Sequence, residues 1–304
     1  MQTEFEPVKR GSIAPATGVG PVHLSVTDGE RAETFYREIV GLLPLPARDD
    51  GTISLGVHGK ELVVLYPGAA RPVVPRTTGL YHLAIVVPDR RELARVISRL
   101  FEHRYPNSPT DHVMTKSDYL WDPDGNGIEI YTETPEDGTF GFRNGMFYAV
   151  DALGRARSGR DPIDLDEMFS HLEPDDRLDG PLPEGTRMGH VHLHVRNVDE
   201  AVHFYSDIIG FDVMGVADQF GAAFVSAGGY HHHLGLNVWA GEGAPPAPQG
   251  SAGLRHFTIE LPMKTDLDEV LERLRKTDVE IEEAPSGFFV SDPSSNRVLL
   301  AVTQ

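Results

Sequence analysis

Apolar and polar residues alternate over short runs of this chain, shift to helical spacing, and then alternate again. The run PVHLSVTDGERAETFYREIVGL from Pro21 shows one such cycle: an alternating strand, a turn, an amphipathic helix and a terminating Gly41. It returns as HVHLHVRNVDEAVHFYSDIIGF from His190, where Phe35-Tyr36 and Gly41 become Phe204-Tyr205 and Gly210 at a constant offset of 169. A second pair recurs as well. GLYHLAIVVP from Gly79 is matched by GLRHFTIELP from Gly253, and WDPDGNGIEIY from Trp121 by SDPSSNRVLLA from Ser291. Internal similarity of this kind means paired or stacked copies of one supersecondary unit. The pattern predicts four βαβββ modules, at about 20–68, 78–134, 188–241 and 252–304, with helices over Arg31–Val40, Arg90–His103, Asp199–Ile209 and Leu267–Lys276.

Between these modules the pattern is weak. Residues 1–19 read as a polar arm and 136–187, rich in Gly, Pro and Asp, as a long connector with a helical turn at Asp164–His171. The predicted organisation is therefore an arm (1–19), an N-terminal pair of modules (20–135), the connector (136–187) and a C-terminal pair (188–304). The stretch from Trp121 to Tyr131 is a tight turn feeding a strand, because Asp-Pro, Asp-Gly and Asn-Gly steps supply turn geometry. In that strand Ile128 and Ile130 face one way and Glu129 and Tyr131 the other. Taken alone, Glu129 is a solvated carboxylate on the wet face of a half-buried strand.

Composition narrows the classes. The chain has 27 Lys and Arg against 46 Asp and Glu, a net charge of −19, so its surface repels phosphate backbones and anionic lipid. Nucleic-acid and membrane binding are thereby disfavoured. No apolar run approaches a membrane span and the N-terminus carries no signal-like apolar stretch, which predicts a cytoplasmic protein. There are no cysteines, which removes disulfides, thiolate ligands and Cys nucleophiles. A homo-oligomer is neither required nor forbidden by such a surface. The fourteen His change the picture, because they cluster.

Four βαβββ modules with the Phe-Tyr helix and the Asp-Pro-x-Gly-Asn-x-Ile-Glu turn resemble the vicinal oxygen chelate superfamily. They resemble most its four-module ring-cleaving (extradiol) dioxygenases of the catechol 2,3-dioxygenase type. The resemblance implies an α+β fold whose modules pair into two open curved sheets, one cupping a metal. It also implies a ligand set: a His from the first strand of one module, with a His from the first strand and a Glu from the last strand of its partner. Module one has Pro21 at the first His position and module four has Leu299 at the Glu position. One complete triad remains: His82 and Glu129 from module two with His190 from module three. This places module two beside module three and module one beside module four. The arrangement departs from the catechol enzymes and resembles the related hydroquinone-cleaving dioxygenases.

The accessory positions implied by the resemblance fall in the same two modules. The acid–base His of the family matches His232, or His233 after a one-residue slip, in the run His231-His232-His233. Alternation would send His232 to one face and His231 and His233 to the other. A second His and a Tyr precede the Glu strand as His112 and Tyr119, the Tyr ten residues ahead of Glu129, whereas module four has Phe289 there. Plainer readings exist for each residue: a satisfied strand histidine for His82 and His190, core aromatics for Tyr119 and Trp239, an exposed loop residue for His112. His192 and His194 share the face of His190 by period two, lining the cup or supporting the ligands.

The implied activity is cleavage of a dihydroxylated aromatic ring of the catechol type with O2, using Fe(II), with Mn(II) as the alternative metal. Hydroquinone cleavage stands second. A glyoxalase-like metal isomerase stands next, lacking its second Glu in module three. A metal-free binding protein of the same fold comes last.

Overall fold

The computed structural model describes residues 7–143 and 146–303. Residues 1–6 of the expected arm and 144–145 of the expected connector lie outside them. Each module is βαβββ, and the helices begin where side chains supply caps. Asp28, Asp89 and Asn197 each accept a hydrogen bond from the backbone N–H three residues on. Module one runs from strand Gly18–Val26 through helix Gly29–Thr34 to strand Lys60–Pro67. Module two runs from Gly79–Val86 through helix Arg90–Glu102 to Gly127–Glu133. Module three spans Arg187–His194, helix Val198–Val202 and a last strand Leu234–Asn237, and module four Gly253–Leu261, helix Lys264–Leu274 and Arg297–Val302.

The helices of modules one and three each end in a π-helical turn, Phe35–Val40 and His203–Ile209, closed by Gly41 (φ 94°) and Gly210 (φ 110°). Those glycines adopt the left-handed conformation that side chains resist. The Phe-Tyr-plus-Gly repeat therefore encodes a widened last turn rather than a plain α-helix. The module-four helix starts three residues earlier than the periodicity predicted.

Two open sheets result. One has nine strands and joins modules two and three through antiparallel pairing of Gly79–Val86 with Arg187–His194. The other has eight and joins modules one and four through Gly18–Val26 and Gly253–Leu261. This is the pairing the ligand positions demanded. The inner faces of both sheets and the helices share one apolar core, to which the central strands contribute Leu83, Ile85, Ile128, Ile130, Val191 and Leu193. Their alternate residues, His82, Ala84, Glu129, Tyr131, His190 and His192, point to the opposite face.

That opposite face is covered. The segment read as a connector folds into a hairpin, Gly138–Arg143 with Met146–Asp151, followed by a two-residue edge strand, Asp161–Pro162, and a helix, Leu165–Phe169. Phe140, Phe142 and Phe147 of the hairpin roof the nine-stranded sheet and line a cavity of about 560 Å³ above it. Under that roof Glu129 is only 4% exposed, not the solvated carboxylate its strand alone suggested.

Candidate metal centre

The strand register brings the triad together. His82 lies opposite His192, while Ala84 lies opposite both His190 and Glu129 across its two neighbouring strands. Ala84 leaves the middle of this face unfilled, and three longer side chains converge above its methyl group. His82 Nε2 and His190 Nε2 are 3.2 Å apart, and each is 3.1 Å from Glu129 Oε2. These three residues form the one group of potential metal ligands found among the described residues.

Hydrogen bonding alone leaves this triangle frustrated. Both imidazoles can donate to the shared oxygen only if two N–H groups face each other at 3.2 Å. A cation relieves it by taking a lone pair from each. Three donors at about 2.1 Å and right angles around a metal are about 3.0 Å apart, close to the spacing observed. The donor set, two imidazoles and one carboxylate on one side, is that of a facial triad with open positions. The residues present fit such a metal.

Electrostatics agrees. Burial pushes the Glu129 carboxyl up, but His190 and His82 outweigh it and hold the group well below its usual range, so it is ionised. Burial lowers His190 and keeps it a neutral imidazole, the form that binds metals. The other oxygen, Glu129 Oε1, accepts a 2.6 Å hydrogen bond from the buried Ser117 hydroxyl. His190 Nδ1 is buried with no partner.

Around the triad lie the accessory candidates. Tyr119 is register-paired with Glu129 on the adjacent strand, Thr115–Trp121. Its hydroxyl is 2.8 Å from His112 Nε2, and His112 Nδ1 is 2.6 Å from the carbonyl of Gly159. A carbonyl can only accept, so Nδ1 carries the proton and Nε2 receives the Tyr119 hydroxyl. Burial lowers His112 and raises Tyr119 well above the ordinary tyrosine value, so both stay neutral.

The His run differs from the expected strand. The chain is bent after Gly228 and Gly229, which both have positive φ, and the strand begins only at Leu234. Strict alternation therefore does not apply. His231 and His232 both line the cavity, their Nδ1 atoms 2.7 Å apart, and the His232 ring lies 4.2 Å from that of His190. His233 points behind them. Its Nδ1 meets the Ser226 hydroxyl at 2.9 Å and accepts from the Ala227 N–H, and burial lowers its pKa to about 3.

His192 lines the cavity beside His82, with Nε2 buried and unpartnered. His194 instead bonds Asn237, and Trp239 stands 41% exposed at the rim. Sequence reasoning missed Ser117, Gly159 and the hairpin phenylalanines. Only the aromatic enrichment of the segment TFGFRNGMFY hinted at the last of these.

A sequence profile of the Glyoxalase/Bleomycin resistance protein/Dioxygenase superfamily matches residues 18–130 and again 187–299. The chain belongs to this superfamily. Its two matches cover modules one and two, then three and four. The chain is 38% identical over 294 residues to a protein named catechol-2,3-dioxygenase from Bacillus subtilis (strain 168), covering 96% of this chain and 99% of that one. A biphenyl-2,3-diol 1,2-dioxygenase from Rhodococcus globerulus is 32% identical over 117 residues, 37% of this chain and 60% of that protein. Among solved structures, glyoxalase I from Zea mays covers 94% of this chain and 92% of its own, with TM-score 0.54 and 14% identity. At that identity the likeness concerns the fold alone. No helix of the described residues is long and apolar enough to cross a membrane.

Proposed function

We propose that this chain cleaves the ring of a catechol-type dihydroxylated aromatic with O2, with His82, Glu129 and His190 holding one Fe(II). As an enzyme it is a ring-cleaving dioxygenase, an oxidoreductase, by its end-to-end kinship with the Bacillus subtilis protein. The observation that carries the site reading is the triangle of His82, His190 and Glu129 on the floor of an aromatic-walled cavity. Bound there, Fe(II) would supply positive charge that favours loss of the diol protons and the redox chemistry that O2 requires.

The protein's own groups do the rest. Glu129 would bring one negative charge to a divalent ion, leaving part of its charge for the diol oxygens to neutralise. His232, a buried neutral imidazole beside the triad, accepts a diol proton and returns it later. Tyr119 presents its hydroxyl toward the same space, with His112 fixed as its acceptor by Gly159. Phe140, Phe142, Phe147 and Phe224 line the cavity and exclude water from a flat ring bound in it, with Phe142 and Phe224 stacked on each other.

Hydroquinone cleavage is the second reading, favoured by a triad drawn from modules two and three. The test is iron content after anaerobic Fe(II) loading, followed by O2 uptake with catechol and with hydroquinone. We expect about one iron per chain in wild type and in a variant of the first-strand His of module four, His256→Ala, none in Glu129→Ala, and uptake with catechol. Metal loss in His256→Ala, or a loaded protein that consumes no O2 with either diol, overturns the reading.

A further inference from the structure

The cavity has one feature that ring cleavage of plain catechol does not use. Among the described residues lining it, Arg160 is the one Lys or Arg, and Glu129 the one carboxylate. Arg160 is exposed, and its guanidinium makes no hydrogen bond or ion pair with any described residue. In a chain with 46 acidic residues that is a cation left without a carboxylate although many are available. The guanidinium carbon lies 5.9 Å from the centre of the Trp239 ring, a contact that steadies it without consuming its N–H donors.

The loop that carries it is built, not loose. The Arg160 N–H donates to the Ser158 hydroxyl, which in turn donates to Asp161. Asp161 then enters the edge of the nine-stranded sheet opposite Asp111. The preceding carbonyl, Gly159, holds His112. The backbone of Arg160 is thus fixed next to the carbonyl that holds the Tyr119–His112 pair. The guanidinium charge is felt by Tyr81, His112 and Tyr119. A free planar fork of N–H donors beside an otherwise aromatic wall is suited to a carboxylate, which it meets through two parallel hydrogen bonds. A buried anion elsewhere on this wall would have no counter-charge.

We infer that the substrate carries a carboxylate on the ring or a short side chain, and that Arg160 is the residue that selects it. The inference rests on the ring-cleaving reading above and names the substrate class for that site. Both tryptophans of the chain, Trp121 and Trp239, line the cavity, so ligand binding can be read from their fluorescence without turnover.

The experiment titrates anaerobic, Fe(II)-loaded protein with 3,4-dihydroxybenzoate and with the uncharged 4-methylcatechol, for wild type, Arg160→Gln and Arg160→Lys. Loss of a charge-assisted pair should lower the affinity ratio of carboxylated to uncharged ligand by at least about tenfold in Arg160→Gln. Arg160→Lys should keep part of that preference, since it keeps the charge but not the fork. If Arg160→Gln leaves the ratio unchanged, or if wild type binds 4-methylcatechol but not the carboxylated ring, the assignment of Arg160 is overturned while the ring-cleaving reading stands. If wild type binds neither diol, both fall.

Discussion

Glu129 lies between two kinds of partner: imidazoles at one oxygen and the Ser117 hydroxyl at the other. The hydroxyl fixes the carboxylate so that Oε2 faces the two histidines. Removing it in Ser117→Ala should weaken Fe(II) binding by about tenfold to a hundredfold, the usual effect of losing a group that orients a ligand. Chelator competition would measure this, with an unchanged circular dichroism spectrum separating it from misfolding. Its sequence neighbour Asp118 faces the other way, buried, accepting from Asn107 and the Ser108 N–H. Burial raises Asp118 from 3.8 to about 7. The folded state therefore holds a proton that the unfolded chain releases. This contribution is fully present below pH 3.8 and is lost as pH rises toward 7. In Asp118→Asn that slope, on the order of a few kcal/mol, should vanish, so its melting temperature relative to wild type should rise between pH 5 and pH 8. An unchanged difference across that range would contradict the burial of Asp118 as an ionisable group.

At the scale of elements, the two repeated motifs turn out to be partners. Tyr36 of the Phe-Tyr turn reaches Asp122 of the Asp-Pro turn in module two, and Tyr205 reaches Asp292 in module four. Each Asp also gathers two backbone N–H groups and an Asn amide: Asp122 from Asp124, Asn126 and the Asn126 side chain, Asp292 likewise from Ser294 and Asn296. The Asp-Pro turn thus ties one module to another as well as feeding a strand. It launches the Glu129 strand alongside the His82 strand, where Gly127 is required because a Cβ would sit 2.1 Å from the Tyr81 carbonyl.

Helices add a second tie. Arg99 of the module-two helix is fully buried and donates to the carbonyls of Val40, Leu178 and Gly180. Arg273 does the same for Ile208 and Ile209 in the other half. Replacing Arg99 by Met would strand the buried carbonyls of Val40 and Gly180 and the partly buried one of Leu178. We expect a loss of about 3–5 kcal/mol in urea unfolding. A loss under about 1 kcal/mol would mean that water substitutes for the guanidinium.

For the whole molecule, the two sheets are copies with different fates. The eight-stranded sheet keeps His23 and His256, stacked with ring centroids 3.8 Å apart, where the other has His192 and His82. Without a carboxylate there, burial and the neighbouring cations lower His23 to about 3 and His256 to about 4. Both stay neutral in the fold while the unfolded chain protonates below 6.5, so stability is retained above that pH and lost as pH falls toward 4. The urea midpoint should therefore drop between pH 7 and pH 5. The drop should be smaller in the His23→Phe, His256→Phe double variant, and equal drops would refute the assignment.

Some of this was legible without coordinates. Four modules and their βαβββ order follow from periodicity, while the triad positions are what the resemblance to the ring-cleaving dioxygenases implies once Pro21 and Leu299, which have no donor atoms to offer, are set aside. Those are local properties, carried by each segment on its own. The orientation of His231–His233 was not legible, because a bend at Gly228 and Gly229 breaks the alternation on which such a reading depends. Nor was the role of residues 138–160. Phe142 stacks on Phe224 and Gly159 holds His112 across contacts that leave no period in the sequence. The ligand types were determined by the sequence by itself. Which side chains share one cavity, and that Glu129 lies buried beneath a roof, was decided by long-range packing alone.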